Sequence, residues 1–482
     1  MQLQIQLVKA LSKSDSLIVI SDNAGQALKT AKSLLNREEF DYLKKWYENN
    51  GKGFARIDRL GQHLFFYVIN QGKKPEHLIH EELRKAGHNL LLLSGESKID
   101  TISIYSKSPD PKICLAFAEG IALSSYQFSK YKSKASETEH RLKTVKIVTG
   151  SVIEKQLVRL HSLSESVHIC RDLVNEPVCN MNSLAFSEYV EVLFKKTGAK
   201  TEILNKSRIE ALKMNGLLAV NKGSVDPPAF IIIEWKPQQH QNEKPFVFVG
   251  KGLMYDTGGI NLKTAGGMED MKGDMAGGAA VVTTLYAIVK ANLPVYVVGL
   301  VPVTDNRPSG NALVPGDIIT YADGTTVEVL NSDAEGRLIL ADGLLYAKKY
   351  KPQLVITVAT LTGAAHAAIG KYGIVGMHQQ AHKHFKGIQS AGNDVFERVV
   401  EFPFWDDYDE LIKSDVADIK NTGGRFAGAI TAGKFLAHFA SYPFIHLDIA
   451  GPAFNDKKDS YRGTGGSGVG VRLLYRFIER KL

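Results

Sequence analysis

Cysteine is scarce, with Cys114, Cys170 and Cys179 the only three in 482 residues, at irregular spacings. That excludes a disulfide framework and a thiolate zinc site, and it favours a reducing, cytoplasmic setting in which the three thiols are small buried hydrophobes. Long apolar runs are missing too: none approaches the roughly 18 residues of a membrane-spanning helix, so no membrane role is expected. The stretch from Met1 to Ile20 alternates apolar and polar residues like a strand, and it lacks the basic, apolar and small-residue order of an export signal. A phosphate loop is absent as well. The glycine run from Gly463 to Gly468 lacks the Gly-Lys-Ser/Thr ending that a P-loop requires and reads as a turn. Neither an internal repeat nor a low-complexity segment occurs.

What is present is ordinary globular material, 44% hydrophobic and 23% charged, long enough for one to three domains. The net charge of +8 is lopsided: residues 1–170 hold 25 basic and 18 acidic side chains, a net +7, leaving +1 for the remainder. Lys130, Lys132, Lys134, Arg141, Lys143 and Lys146 supply much of that excess. A solvated face is the plain reading, with nucleic acid or an acidic partner as the other.

Short apolar runs at Ser16–Ile20, His63–Ile69, Asn89–Leu93 and Thr101–Tyr105 alternate with helical stretches such as Ile113–Gln127, which predicts an α/β domain over residues 1–150. Ile153, Leu157, Leu160, Leu163 and Val167 then fall at helical spacing, so residues 151–176 form a connecting helix. Beyond it, in residues 177–482, the strand candidates are apolar on both faces: Ala229–Glu234, Pro245–Val249, Val295–Val301, Leu354–Ala359 and Phe444–Ile449. Helical stretches at Ser183–Thr197, Met268–Ala291, Leu338–Lys349 and Ala427–Phe439 separate them. The expected fold is α/β, a smaller N-terminal α/β domain joined by a helix to a larger doubly wound α/β domain, whose site lies at the carboxyl ends of the strands.

Two stretches place acidic residues where a strand hands over to a helix. The first runs from Val249 through Lys251, Asp256 and Lys263 to Asp274, with glycines at 250, 252, 258 and 259 that serve turn chemistry as well as they serve close approach of a ligand. The second is Asn331-Ser332-Asp333-Ala334-Glu335-Gly336-Arg337, between a strand at Thr326–Leu330 and a helix from about Leu338. Read as extended chain, it projects residues 333, 335 and 337 to one side; read as a helix start, it places acidic residues where the dipole favours them. Taken together, Asp256, Asp274, Asp333 and Glu335 supply four negative charges, matching two divalent cations bound by oxygen, as Mn²⁺, Zn²⁺ or Mg²⁺. Two lysines in the same loops suit a neutral nitrogen ligand and a charged group that polarises a carbonyl. His382 and His384, flanking Lys383, read instead as a solvated loop.

At these residues the chain resembles the leucine aminopeptidases of the cytosol aminopeptidase type. Asn331 to Leu338 nearly matches that family's N-T-D-A-E-G-R-L signature, supported by Val249 to Gly252, Tyr255 to Gly259, Lys272 to Met275, Arg171 to Asn175, Ala359 to Ala364 and His446 to Gly451. The likeness spans about residues 165–475 and implies a two-metal aminopeptidase acting on peptides with a free N-terminus. It implies that Lys251, Asp256, Asp274, Asp333 and Glu335 bind two metals, with Asp256 and Glu335 between them, Lys251 and Asp274 completing one and Asp333 the other. Lys263 is then the electrophile facing the scissile carbonyl, Arg337 holds a bicarbonate that acts as general base, and a hydroxide on the metals is the nucleophile. Met271, Asn331, Thr360, Leu361 and Gly363 line the substrate cleft, and the assembly is a homohexamer. Two departures from the family pattern fall on the cleft walls: Thr357 stands where many relatives carry aspartate, and Thr264 to Gly267 replace a proline-containing turn. Another two-metal hydrolase such as a phosphoesterase, or a DNA-binding regulator using the basic N-terminal region, are the alternative readings.

Overall fold

Two sheets carry the architecture, one in each of two units of chain. The computed structural model describes residues 3–12, 14–69, 72, 74–108, 110–134, 140–148, 154–264 and 266–482. One unit comprises Met1–Ser164 with Lys458–Gly463, the other Glu165–Lys457 with Thr464–Leu482. Among the described residues, no helix is long and apolar enough to cross a membrane.

The first unit holds β1 (Gln4–Val8), β2 (Ser16–Ser21), β3 (Gly53–Arg59), β4 (Gln62–Val68), β5 (Thr101–Ser106) and β6 (Thr144–Val148), ordered β1-β6-β5-β2-β4-β3. All neighbours are parallel except the β3–β4 hairpin. The apolar run Asn89–Leu93 is no strand; it lies inside the helix Glu76–Glu96. Leu90 and Leu91 are buried and Leu92 is 39% exposed, a helical pattern that five residues are too few to reveal in sequence. Buried Glu81 on that helix accepts from Tyr461 Oη at 2.6 Å and Arg462 Nη2 at 2.8 Å, so the late segment Lys458–Gly463 is tied into this unit by a satisfied carboxylate. Lys146, one of the basic cluster, pairs with Asp15 at 2.8 Å, while Lys130, Lys132 and Lys134 are exposed; residues 135–139 of that stretch lie outside the described residues. The connecting helix is Glu154–Asn175, with Leu160, Leu163 and Val167 buried; Ile153 lies outside the described residues.

The second unit contains β7 (Lys200–Leu204), β8 (Ala229–Trp235), β9 (Phe246–Gly250), β10 (Gly252–Asp256), β11 (Val297–Asn306), β12 (Ile318–Thr320), β13 (Thr326–Glu328), β14 (Leu354–Ala359), β15 (Ile374–Gln379), β16 (Val399–Glu401), β17 (Ile419–Lys420) and β18 (Phe444–Asp448). Its large sheet runs β16-β15-β18-β14-β9-β11-β8-β7, with β10 added alongside β11. The central β18, β14, β9 and β11 are mutually parallel and buried along their whole length, as their unbroken apolar runs require of strands covered on both faces. On either side the sheet turns antiparallel, at β15 and at β8. β11 continues well past the expected Val301 because β10 pairs with Val303, Thr304 and Asn306, which gives a polar strand end the ladder partners that sequence pattern could not show.

Helix boundaries differ from those expected at several positions. The stretch expected as a helix from Met268 begins instead with a 3₁₀ turn, Met271–Met275, before the α-helix Ala276–Lys290. The helix expected from Leu338 starts at Glu335, whose carboxylate stands in the first turn. His382 and His384 lie on the helix His382–Val395 rather than in a loop, and Cys179 is exposed, unlike the buried Cys114 and Cys170. Part of the Gly463–Gly468 run, Gly465–Gly466, pairs antiparallel with Phe454–Asn455 instead of forming only a turn.

The helix Ala276–Lys290 approaches the sheet so closely that a Cβ at Gly277 would stand 2.1 Å from the carbonyl oxygen of Val358 on β14. Gly277→Ala is therefore expected to lower stability by roughly 1–3 kcal/mol or more, since backbone on both sides must yield. Gly310→Ala, with open space at its Cβ, should be near neutral. A thermal melt of both variants checks this, and an unchanged midpoint for Gly277→Ala would contradict the packing described.

Candidate functional site

The carboxyl ends of the central strands deliver the charged residues. Lys251 sits at the break between β9 and β10, its amide donating to Val358 O at 3.0 Å. Asp256 ends β10, and Asp274 lies in the 3₁₀ turn that opens the long buried helix. Asp333 occupies a turn closed by Ala334 N to Asn331 O, and Glu335 begins the following helix. Thr360 and Leu361 follow β14, and Asp448 ends β18.

These residues form a cage of alternating charge. Lys251 Nζ lies 2.7 Å from Asp274 and 3.0 Å from Glu335, and donates to Thr360 O at 3.1 Å. Lys263 Nζ lies 2.7 Å from Asp256 and 2.5 Å from Asp333. Thr360 Oγ1 donates to Asp274 Oδ1 at 2.7 Å. Carboxylate oxygens of Asp256, Asp333 and Glu335 come within 4.8 Å of one another. All but Lys263, Asp333 and Thr360 are buried, and Glu335 Oε2 is buried with no hydrogen bond among the described residues. Space for Lys251 exists because residue 336 is glycine: a Cβ there would fall 2.5 Å from Lys251 Cε and 2.7 Å from its Nζ.

Crowded carboxylates in a dry site resist ionisation. Burial, reinforced by Asp256, pushes Glu335 up to about 8, and burial raises Asp274 to about 6 although Lys251 opposes it. Asp333 is raised by burial and by Asp256. Burial works against the Lys251 ammonium, yet Asp274, Glu335 and Asp256 outweigh it and hold its pKa above the ordinary lysine value; burial and Asp256 act in the same opposing way on Lys263. Four carboxylates thus face two ammonium groups, leaving a deficit of positive charge that divalent cations would fill. The orphaned Glu335 oxygen and the hard oxygen donor set both fit such ions.

The extended reading of residues 333, 335 and 337 does not hold. Asp333 belongs to a turn while Glu335 and Arg337 stand in the first helical turn, where alternation along a strand no longer applies. Arg337 is buried, and burial pulls it down to about 10. Its Nη1 donates to Asn421 O at 2.7 Å and its Nε has no partner among the described residues, leaving a donor for an anion. Leu361 N reaches Asp448 Oδ1 at 3.2 Å, Met271 stands at the start of the 3₁₀ turn, and Asn331 Oδ1 accepts from Asp333 N at 2.9 Å. Gly363 is exposed at the start of the helix Gly363–Ile369 and, like Met271, gives the cage no hydrogen bond among the described residues. Thr357, expected on the cleft wall, is instead fully buried in β14, where its hydroxyl pairs with His446 Nδ1 at 2.8 Å; Ala265, in the other departure, lies outside the described residues.

Sequence reasoning missed the amides that hold the loops in place. Asn306 Nδ2 donates to Asp256 Oδ1 at 2.9 Å and to Ser332 O at 3.0 Å, joining the two acidic stretches. Ser332 Oγ donates to Gly258 O at 2.7 Å and accepts from Asn261 N at 2.8 Å. Asn421, fully buried, accepts from Leu330 N at 2.8 Å and donates to Asn331 O at 2.7 Å. Asn306 ends a strand and Asn421 follows one, in each case a single amide without a motif; the apolar run before Asn306 was a signal for that residue, and Asn421 carried none.

A family model described as the cytosol aminopeptidase family, catalytic domain, matches residues 168–475. A probable cytosol aminopeptidase of Chlorobium phaeobacteroides is 38% identical over 494 residues, covering 98% of this chain and 94% of that protein. Another, from Clostridium perfringens, is 42% identical over 376 residues, 76% of each. Among solved structures, a tomato leucine aminopeptidase mutant superposes with a TM-score of 0.87 at 26% identity, over 99% of this chain and 97% of that one. The bottromycin maturation enzyme BotP in complex with Mn gives 0.84 at 27% identity, over 97% and 99%. With its carboxylate cage, its two lysines and a match across most of its length, this chain belongs to the cytosol aminopeptidase family, metal-dependent enzymes that hydrolyse peptides at the N-terminus.

Proposed function

We propose that this chain removes the N-terminal residue from peptides at a site that holds two divalent cations, Mn²⁺ or Zn²⁺ with Mg²⁺ as a third choice, between Asp256, Asp274, Asp333, Glu335 and Lys251. The observation that carries this reading is the largely buried cage itself, four carboxylates on two lysines with one Glu335 oxygen left without a partner among the described residues. When bound, the ions supply Lewis acidity toward the peptide carbonyl and lower the pKa of a water toward neutrality. Lys251, once it has released its proton to solvent, would hold one ion together with Asp274, Asp333 would hold the other, and Asp256 and Glu335 would serve both.

Lys263 keeps its proton, because Asp256 and Asp333 flank it, and directs that charge at the oxygen of the scissile carbonyl. Arg337, buried with a spare Nε donor, is the residue to hold a bicarbonate ion, whose chemistry is to take up and return a proton. Met271, Asn331, Thr360, Leu361 and Gly363 line the cleft for the first residue of the peptide. A homohexamer is the proposed assembly, and the cytoplasm the proposed setting.

The two lysines should separate in a mutational test. Lys263→Ala is expected to retain both metals while turnover falls by roughly 10²–10³, the scale of one lost preorganised donor. Lys251→Ala should lose metal. Metal content by atomic emission alongside aminoacyl-amide turnover distinguishes the roles, and equal metal loss in both variants would reverse the division.

Coordination of a free α-amine by one ion demands a nitrogen lone pair, which acetylation withdraws into an amide. An N-acetylated peptide carrying the best first residue should therefore resist cleavage at that bond, as followed by mass spectrometry. Efficient cleavage of the blocked peptide would rule out the aminopeptidase reading while leaving the cage intact.

A further inference from the structure

A second group of metal-ligating side chains stands on the far edge of the large sheet. β15 runs antiparallel to β18, so that His378 lies opposite Ile445 near the amino end of β18, whereas Asp448 and the carboxylate cage occupy the carboxyl ends. Glu401 closes β16 opposite Gly376, two residues along β15 from His378 and on the same face. After β15 the chain reverses through Gln380, with φ of 53°, and the helix beginning at His382 returns that imidazole to within 5.5 Å of His378, ring centre to ring centre. Phe385, one turn further on, packs 5.0 Å from the His378 ring and fixes its orientation.

Three donor atoms, from His378, His382 and Glu401, come within 4.8 Å of one another. His378 Nε2 is 3.2 Å from Glu401 Oε1, its Nδ1 is buried without a hydrogen bond, and His382 has no hydrogen bond or ion pair among the described residues. Two imidazole nitrogens and one carboxylate oxygen form the donor set of a zinc site with an open fourth position. Exposed His382 has room to turn toward an ion held by the other two donors, whose bonds would be roughly 2.0–2.2 Å long. Two features oppose a cation here: the helix N-terminus beside His382, and Lys386, whose Nζ lies 3.0 Å from Glu401 Oε2. Lys386 is 54% exposed and also donates to Gln389 Oε1 at 3.1 Å, so its ammonium has a second partner when it leaves Glu401 and competes with an incoming ion without blocking it.

We propose that His378, His382 and Glu401 bind a Zn²⁺ ion at a site separate from the carboxylate cage, pinning β15, β16 and the helix between them at the edge of the sheet. Full-length protein equilibrated with Zn²⁺ and freed of loose ion by gel filtration is expected to carry one zinc ion more per chain than His382→Gln, an exposed substitution that leaves the fold alone. Lys386→Gln, which removes the competing charge, should bind that ion several-fold more tightly than the wild type. Turnover of the Mn²⁺-loaded His382→Gln enzyme should be unchanged. Equal zinc content in wild type and His382→Gln would overturn the site, as would weaker binding by Lys386→Gln. A loss of turnover in step with the lost ion would also overturn it, by assigning that ion to the cage.

Discussion

Neutralising four carboxylates gathered where the parallel strands end is the constraint on which the rest of the second unit turns. Two ammonium groups stand among Asp256, Asp274, Asp333 and Glu335, each lysine spanning two acids, and two positive charges do not balance four negative ones. The shortfall is visible in Glu335, pushed up to about 8, and in Asp274, raised to about 6, because in a dry site like charges so close cannot all ionise. A pair of divalent cations would relieve that repulsion and free Lys251 from its role as a countercharge. Held without such ions, the cage costs folding energy, which is the usual signature of a site built for binding rather than for stability.

That cost dictates the surrounding architecture. The loops on either side of the cage are pinned by hydrogen bonds from Asn306, Ser332 and Asn421, which tie residues 26 to 90 positions apart in sequence. Glycine at 336 gives Lys251 the room to reach Glu335, and Gly277 lets the buried helix that carries Asp274 at its head sit directly on β14. Rigid strands below and amide-stapled loops above hold the acids at spacings that flexible loops would lose.

Much of this was legible in the chain. Unbroken apolar runs such as Leu354–Ala359 marked the covered parallel strands, and two acidic stretches stood where a strand was expected to hand over to a helix. The carboxylates and lysines could be named because charge clustered beside glycine is conspicuous. Other features depended on contacts that no local pattern encodes. Asn306 and Asn421 are single amides whose importance comes from partners far along the chain. The run Asn89–Leu93 was too short for its period to be read, and Asp333 to Arg337 fit a strand or a helix start equally well until the first-turn position of Glu335 settled it. His382 looked solvated because its neighbours are charged; only the reversal after β15 brings it to His378.

Family membership and the geometry meet at the carboxylate cage, where two divalent cations are proposed to bind. Crystals of the protein loaded with Mn²⁺, with data collected at the manganese absorption edge, would locate the ions directly. Two anomalous peaks roughly 3.5–4 Å apart, bounded by Asp256, Asp274, Asp333 and Glu335, with Lys251 Nζ as a ligand and Lys263 Nζ outside the coordination shell, are the predicted result. A single peak, or none within the cage, would contradict it.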